Sequence, residues 1–396
     1  MTGESRDGLR MEEARTSAHR GASAPAEPAG PGHPDGAMDV AHEDMPRRPM
    51  TRRAIVALAV FLVVSLAVFY FVLPKLTGLR STWNRINNGD PGWLGVAAAL
   101  ELLSFLGYVA LFRAVFVRRT TRVGWRESYQ ITMAGLAATR LFASAGAGGI
   151  ALTAWALRRS GMERRVVAVR MIAFTVLLYS VYMATLVLDG IGLRTGMFGG
   201  HAPFGFTVIP AIFGAVVIVL LGAITLLPAG FERRLQSAAQ GSGRVARLLA
   251  RSADGPASVA EGTRAALSLL RSRDPALLGA LAWWGFDIAV LWASFHAFGQ
   301  SPPWSVIVMC YFVGMLANVL PLPGGVGGVE GGMVAAFLAF DVSGSLALVS
   351  VITYRAFSFW LPTVPGALAY WQLRHTVAGW QADGSGRLAT PGELAS

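Results

Sequence analysis

Lysine is almost missing from this 396-residue chain: Lys75 stands alone among 34 basic residues, the rest being arginine. Charge of either sign is sparse, at 14% of residues against 54% hydrophobic, and mean hydropathy is +0.50. Such a composition excludes an ordinary soluble domain and predicts an integral membrane protein. Cysteine is represented only by Cys310, inside an apolar run, which excludes an intrachain disulfide and a cysteine metal cluster and leaves a buried structural thiol. Of the six histidines, His19, His33 and His42 precede the first apolar stretch, and His201, His296 and His375 are scattered. They form no catalytic or metal-ligating set. There is also no Gly-x-x-x-x-Gly-Lys-Ser/Thr phosphate loop, which argues against ATP-driven work by this chain. The reading is therefore of a non-enzyme without metal or other cofactor. A net charge of +11 raises the question of nucleic acid, but the arginines fall in short segments between apolar runs, and no nucleic-acid partner is expected.

Residues 1–50 are rich in Ala, Gly, Pro, Glu, His and Arg without hydrophobic periodicity and read as a disordered cytosolic tail, as do residues 376–396. The first apolar stretch begins only at Ala54, too far from Met1 for a cleaved signal peptide, so it predicts a retained span. Stretches able to cross a core of ~30 Å run from Ala54 to Leu73, Trp93 to Phe116, Val166 to Leu188, Thr207 to Pro228, Ala276 to Phe298 and Ser345 to Tyr370. Two further apolar regions, Ser128 to Leu157 and Ser305 to Asp341, are interrupted by glycines: Gly146, Gly148 and Gly149 in the first, and Gly324, Gly325, Gly327 and Gly328 in the second. If both turn back to the side they entered, 22 arginines fall on the inner side and only Lys75, Arg80, Arg85 and Arg194 on the outer. A single crossing of the first region would export the arginine-rich loops that follow. The positive-inside bias thus predicts even parity, with both termini cytoplasmic in a plasma-membrane protein. The predicted fold is an all-α polytopic membrane protein of six full transmembrane helices plus two glycine-rich re-entrant helical hairpins. Residues 229–275 form a cytosolic loop, where Arg244, Arg247 and Arg251 share one helical face, suited either to the anionic inner leaflet or to a solvated linker.

The order span, span, hairpin, span occurs twice, in residues 54–188 and, upside down, in 207–370. Gly146-Ala147-Gly148-Gly149-Ile150 aligns with Gly325-Val326-Gly327-Gly328-Val329, and Thr139 and Asn318 each stand seven residues before these motifs. Each third span carries Arg-x-x-x-Phe (Arg170 with Phe174, Arg355 with Phe359), and each second span carries one acid, Glu101 or Asp287. Inverted repeats with broken helices are the signature of secondary transporters, whose substrate site lies near the midplane where the repeats meet.

Each glycine loop leads into a helical segment whose free N–H groups carry roughly half a positive charge and can hold an anion, the glycines permitting close approach. The alternative is packing, since Gly324, Gly328 and Gly332 are spaced by four and let helices touch. Only the second loop has prolines, Pro321 and Pro323. The candidate substrate-binding residues there are Asn318, Pro323, Gly324, Gly325, Gly327 and Gly328, with Gly146, Gly148 and Gly149 in the first loop. Glu330 caps the second half-helix and is also an intramembrane ionisable group, a functional candidate by default. Arg355, about ten residues into its span, should face inward and pair with Asp287, Glu330 or a lipid phosphate. Arg140, Glu101 and Asp287 have similar standing, whereas Arg170 lies near a span end and is expected to snorkel to the surface.

The run from Asn318 to Glu330, with Tyr354-Arg355, Trp360-Leu361-Pro362 and the earlier Leu157-Arg158-Arg159-Ser160-Gly161, resembles the lysylphosphatidylglycerol synthase transmembrane, or flippase-like, family over about residues 54–375. The resemblance implies a polytopic plasma-membrane protein whose best-known relatives move aminoacylated phosphatidylglycerol between leaflets. Those relatives continue into a soluble synthase domain, whereas about 26 residues follow the last span here, so synthase activity is not carried over. The first hairpin has Ser144-Ala145 and Ile150-Ala151 where relatives often carry a proline and an acid. The expected function is movement of a lipid or lipid-linked substrate, with membrane lipids as partners and a separately encoded lipid-modifying synthase as a further one. The alternatives are a membrane enzyme acting on a lipid-linked sugar or headgroup, with Glu330 or Asp287 as acid or base, and a membrane scaffold for such a synthase.

Overall fold

The computed structural model describes residues 89–117, 123–141, 147–199, 202–226, 244–319 and 325–385. The N-terminal tail, residues 386–396, the expected span at Ala54 to Leu73, and Gly146, Pro323 and Gly324 lie outside these residues, whereas residues 376–385, expected to be disordered, continue the last helix to Ser385. The regular secondary structure among the described residues is all helical, without strands. In chain order they form α1 (Pro91–Phe116), α2 (Trp125–Leu141), α3 (Ala147–Arg159), α4 (Arg164–Arg194), α5 (Phe204–Leu226), α6 (Arg244–Arg271), α7 (Gly279–Phe298), α8 (Trp304–Leu316), α9 (Gly328–Ala339), α10 (Gly344–Arg355) and α11 (Leu361–Ser385). A π-helical turn, Ala356–Trp360, joins α10 to α11. Five of these segments are long and apolar enough to cross a membrane: α1, α4, α5, α7 with its leading turn, and the unit from Gly344 to Trp380. The helices α8 and α9 are apolar but too short to do so alone.

Local chemistry starts the two most tightly paired helices in the same way. Asp90 accepts the N–H of Gly92 at 2.7 Å ahead of Pro91, and Asp274 accepts that of Ala276 at 3.0 Å ahead of Pro275. An aspartate cap followed by proline is a strong helix start, because the cap satisfies an orphan donor and proline has none to satisfy. Helix α1 then presents two faces. Leu102, Leu103 and Leu106 are exposed while Glu101, Ser104 and Phe105 are buried, so leucine faces lipid and the polar side chains face protein.

Helices α1 and α7 run antiparallel in a register fixed by side chains along their length. Asp90 N–H donates to Ala297 C=O at 2.9 Å, the Trp93 ring meets Trp292 and His296, and Ser104 Oγ donates to Trp283 C=O at 2.9 Å. At the far end a Cβ on Gly107 would collide with Ala282 and the Gly279 carbonyl, so glycine there lets the two backbones touch.

The arms of each interrupted region also pack together. A Cβ on Gly149 of α3 would strike Thr139 and the Gly135 carbonyl of α2, and Gly314 of α8 lies equally close to Met333 of α9. Each first arm then packs on a helix from the other half of the chain. Helix α2 packs along α11, with Gly366 on Ala137 and Met133 and Thr376 donating to Gln130 Oε1 at 2.9 Å. Helix α8 packs on α4, where the Tyr182 hydroxyl donates to Phe312 C=O at 2.5 Å and the Tyr182 and Phe312 rings stack.

Two expectations are refined. Arg170 is bonded rather than snorkelled: Nη1 donates to Phe116 C=O at 2.9 Å and satisfies a terminal carbonyl of α1. In α6 the second half is packed on protein, with Ala260, Thr263 and Ala266 buried and Gly262 against Ile172 and Val169 of α4. The side chains of Arg244, Arg247 and Arg251 lie outside the described residues.

Candidate functional site

The α1–α7 register brings Glu101 and Asp287 face to face, the eleventh residue of one helix and the ninth of the other. Both are buried, at 3% and 5% exposure, with their carboxyl groups within hydrogen-bonding reach of each other. Asp287 Oδ2 accepts two phenol hydroxyls, from Tyr311 on α8 and from Tyr354 on α10, the latter at 2.8 Å. Glu101 Oε2 has no hydrogen-bond partner.

On the adjoining side, Arg355 at the end of α10 meets Glu330 in the first turn of α9: Nε donates to Oε1 at 2.6 Å, and both side chains are buried. The other carboxylate oxygen, Oε2, accepts the N–H of Gly327 at 2.7 Å, the carboxylate half of a reciprocal helix cap. Glu330 thus ties the glycine loop to the last span, and both of its oxygens are engaged.

Arg140, near the end of α2, completes the set. Its Nη2 donates to Ser358 C=O at 2.7 Å and its Nη1 to Phe359 C=O at 3.3 Å. The cause is Pro362. An α-helical carbonyl at Ser358 would receive the N–H four residues on, and proline has none. The chain widens into the π turn, in which Leu361 N–H reaches back to Ala356 C=O, and Arg140 supplies the missing donor. Thr363 Oγ1 adds a bond to the Phe359 carbonyl at 2.6 Å. Both guanidinium groups approach the Phe359 ring, with Cζ of Arg355 4.4 Å and Cζ of Arg140 5.5 Å from its centre, and the two arginine charges lie close enough to repel. Among the described residues Arg140 makes no ion pair, and its side chain is only partly buried.

Of the residues proposed from sequence, the structure brings Glu101, Asp287, Arg140, Arg355 and Glu330 into one cluster built from α1, α2, α7, α9 and α10. Asn318 sits at the mouth of the second glycine loop: its Oδ1 is where a Cβ on Gly325 would go, and its Nδ2 contacts Met315 Sδ at 3.2 Å. Gly325 and Gly327 have φ of +66° and +85°, which glycine adopts freely, and Gly328 opens α9. Gly149 is a packing glycine, and Gly148 stands beside it in α3. Four participants escaped the sequence reading: Tyr311, Tyr354, which was noted only as part of the family motif, and the carbonyls of Ser358 and Phe359. Among the described residues no set of His, Cys, Asp or Glu is arranged to hold a metal ion.

A multi-pass helical membrane protein with a buried network of acids, arginines and tyrosines is the class these features define. Within it, the lysylphosphatidylglycerol synthase TM region family matches residues 55–366, and the chain belongs to that family. Three similar proteins are described as UPF0104 membrane proteins of Methanothermobacter thermautotrophicus (strain Delta H). One is 24% identical over 325 residues, covering 78% of this chain and 92% of the relative. The other two are 33% and 34% identical over 90 and 86 residues, 22% of this chain in each case, and the chain spans only about a quarter of their length, 26% for both. No solved structure matches the chain.

Proposed function

We propose that this protein moves a lipid or lipid-linked substrate between leaflets, holding an anionic headgroup between the guanidinium groups of Arg140 and Arg355. The observation that carries the reading is the state of Arg140. A guanidinium has five N–H donors and a permanent charge. The two bonds seen here go to neutral carbonyls, and the neighbouring arginine is already paired with Glu330. A phosphate arriving beside Phe359 would give a direct anionic partner to a cation that makes no ion pair among the described residues, the Glu101 and Asp287 carboxyls acting on its charge only from nearby.

The fold we infer is an inverted repeat of six spans with two re-entrant hairpins, the sixth span being the stretch from Ala54 to Leu73 outside the described residues, and the packing of the described helices agrees with the repeat. The two second spans pair antiparallel with matching Asp-Pro starts, and each first hairpin arm packs on the third span of the opposite half. Such a carrier makes and breaks no covalent bonds and needs no cofactor. It resides in the plasma membrane with both termini cytoplasmic, and it serves a lipid supplied by a separately encoded synthase.

The test is reconstitution in vesicles carrying a trace of fluorescent short-chain anionic phospholipid, with leaflet exchange read by a membrane-impermeant quencher. Wild-type protein accelerates exchange, and Arg140→Gln, folded as judged by gel filtration and melting, slows it roughly tenfold, the loss of one charge-assisted contact. Equal rates in both would overturn the site, and no exchange by wild type would favour the scaffold.

A further inference from the structure

We propose that the Glu101–Asp287 pair is a proton-binding site and that its proton is the coupling ion for headgroup movement; the coupling half rests on the transport reading above. Ionised carboxylates only accept hydrogen bonds, so two carboxyl groups within hydrogen-bonding reach need a proton between them. The hydroxyls of Tyr311 and Tyr354 both donate to Asp287 Oδ2, which makes Asp287 the acceptor and Glu101 the group that carries the proton. The same need shows at Glu101 Oε2, which no donor among the described residues reaches although the side chain is only 3% exposed. A purely structural acid at such a place is expected to have its oxygens satisfied.

The surroundings supply the coupling. The charges that face Glu101 are Asp287 and Arg140, and those that face Asp287 are Tyr311, Tyr354, Glu101 and Arg140. Arg140 in turn faces Arg355, whose charge is paired with Glu330. With the proton in place the acid pair holds one negative charge, which balances Arg140, while Glu330 balances Arg355, so the cluster is neutral and Arg140 still has donors to offer an anion. When the proton leaves, a second negative charge appears beside Arg140 and competes with the headgroup for it. Proton and anion therefore bind together, and by linkage each strengthens the other equally. The helices that carry the two acids belong to opposite halves of the chain. A change in their shared proton therefore acts where those halves meet.

The experiment uses full-length protein in vesicles with a trace of labelled anionic lipid, an imposed pH gradient, and the membrane potential clamped by potassium and its ionophore. One proton per lipid lets a one-unit gradient drive about a tenfold leaflet ratio of the label, with the lipid accumulating in the leaflet facing the alkaline side. Glu101→Gln and Asp287→Asn hold the ratio near one at any gradient. A wild-type ratio near one with rapid exchange would overturn proton coupling and leave the transport reading standing. Absence of exchange would overturn both the coupling and that reading. Infrared spectroscopy of the detergent-solubilised protein decides the proton site separately. A carboxylic acid C=O band that titrates with pH and is missing in Glu101→Gln supports it, and a wild-type spectrum lacking such a band overturns it.

Discussion

Arg355 and Glu330 meet at 2.6 Å with both side chains buried, and the same carboxylate holds the N–H of Gly327. One side chain therefore fixes both the start of a half-helix and the guanidinium of a neighbouring span. Breaking a buried ion pair by removing one partner costs about 3–5 kcal/mol, because the other charge is left uncompensated. Glu330→Gln and Arg355→Gln are each expected to destabilise by that order. The double variant Glu330→Gln/Arg355→Gln should recover part of the loss, since no lone charge remains. Melting of the detergent-solubilised protein measures all three. Additive losses in the double variant would mean that the two groups do not act as a pair.

The glycines of the two loops should separate by mechanism. Gly327 has φ of +85°, and a Cβ added there would meet nothing within 4 Å, so Gly327→Ala carries only backbone strain, about 1–2 kcal/mol. Gly149 lies inside α3, but a Cβ there would strike Thr139 and the Gly135 carbonyl. Gly149→Ala must push α2 and α3 apart, at about 1–3 kcal/mol. Trimming the obstructing side chain in Gly149→Ala/Thr139→Ala should relieve only part of this, because the Gly135 carbonyl remains. Comparison of the melting temperatures of these variants checks the distinction.

These contrasts show what the chain makes legible. Glu101, Asp287, Arg140, Glu330 and Arg355 were visible because a lone ionisable residue in an apolar run is conspicuous and must be faced inward. Their partners were not. Tyr311 sits in an apolar helix, where a tyrosine reads as core, and nothing in its surroundings marks the carboxylate that its hydroxyl meets in three dimensions. The carbonyls of Ser358 and Phe359 carry no side-chain signature at all. The trace they leave is Pro362, which removes the donor that Ser358 would have had, and it became interpretable once Arg140 was seen to replace it. The packing role of Gly149 was open for a similar reason: a Gly-x-Gly-Gly run looks the same whether it approaches a ligand or another helix. Asp90-Pro91 and Asp274-Pro275 go unused in the sequence reading, although an aspartate before a proline is a helix-start signal, and the structure shows both acting as caps.

Cys310 offers a reporter for the whole core. As the only cysteine in the chain, with 0% exposure, its thiol reacts with a maleimide only when the structure opens. An opening free energy of ~3 kcal/mol corresponds to roughly a hundredfold slower modification than in the denatured protein. Glu330→Gln should accelerate the reaction, as it lowers stability, while Met197→Cys, at an exposed position between α4 and α5, should react at once. Rapid modification of Cys310 in the wild type would contradict the packing of α8 described above.

The direction of Arg140's two bonds makes the substitution of one cation for another informative. Arg140→Lys keeps the positive charge but replaces a planar fork by a single ammonium, which cannot align with the Ser358 and Phe359 carbonyls as the fork does. If charge alone attracts the headgroup, Arg140→Lys exchanges lipid nearly as fast as wild type and Arg140→Gln is slow. If the fork also braces the π turn, Arg140→Lys falls between the two and its melting temperature drops with Arg140→Gln. The geometry favours the second outcome, because the Ser358 carbonyl has lost its helical donor to Pro362 and Nη2 reaches it at 2.7 Å. An Arg140→Lys protein that matched wild type in both exchange and melting would separate the bracing of the turn from the work of Arg140.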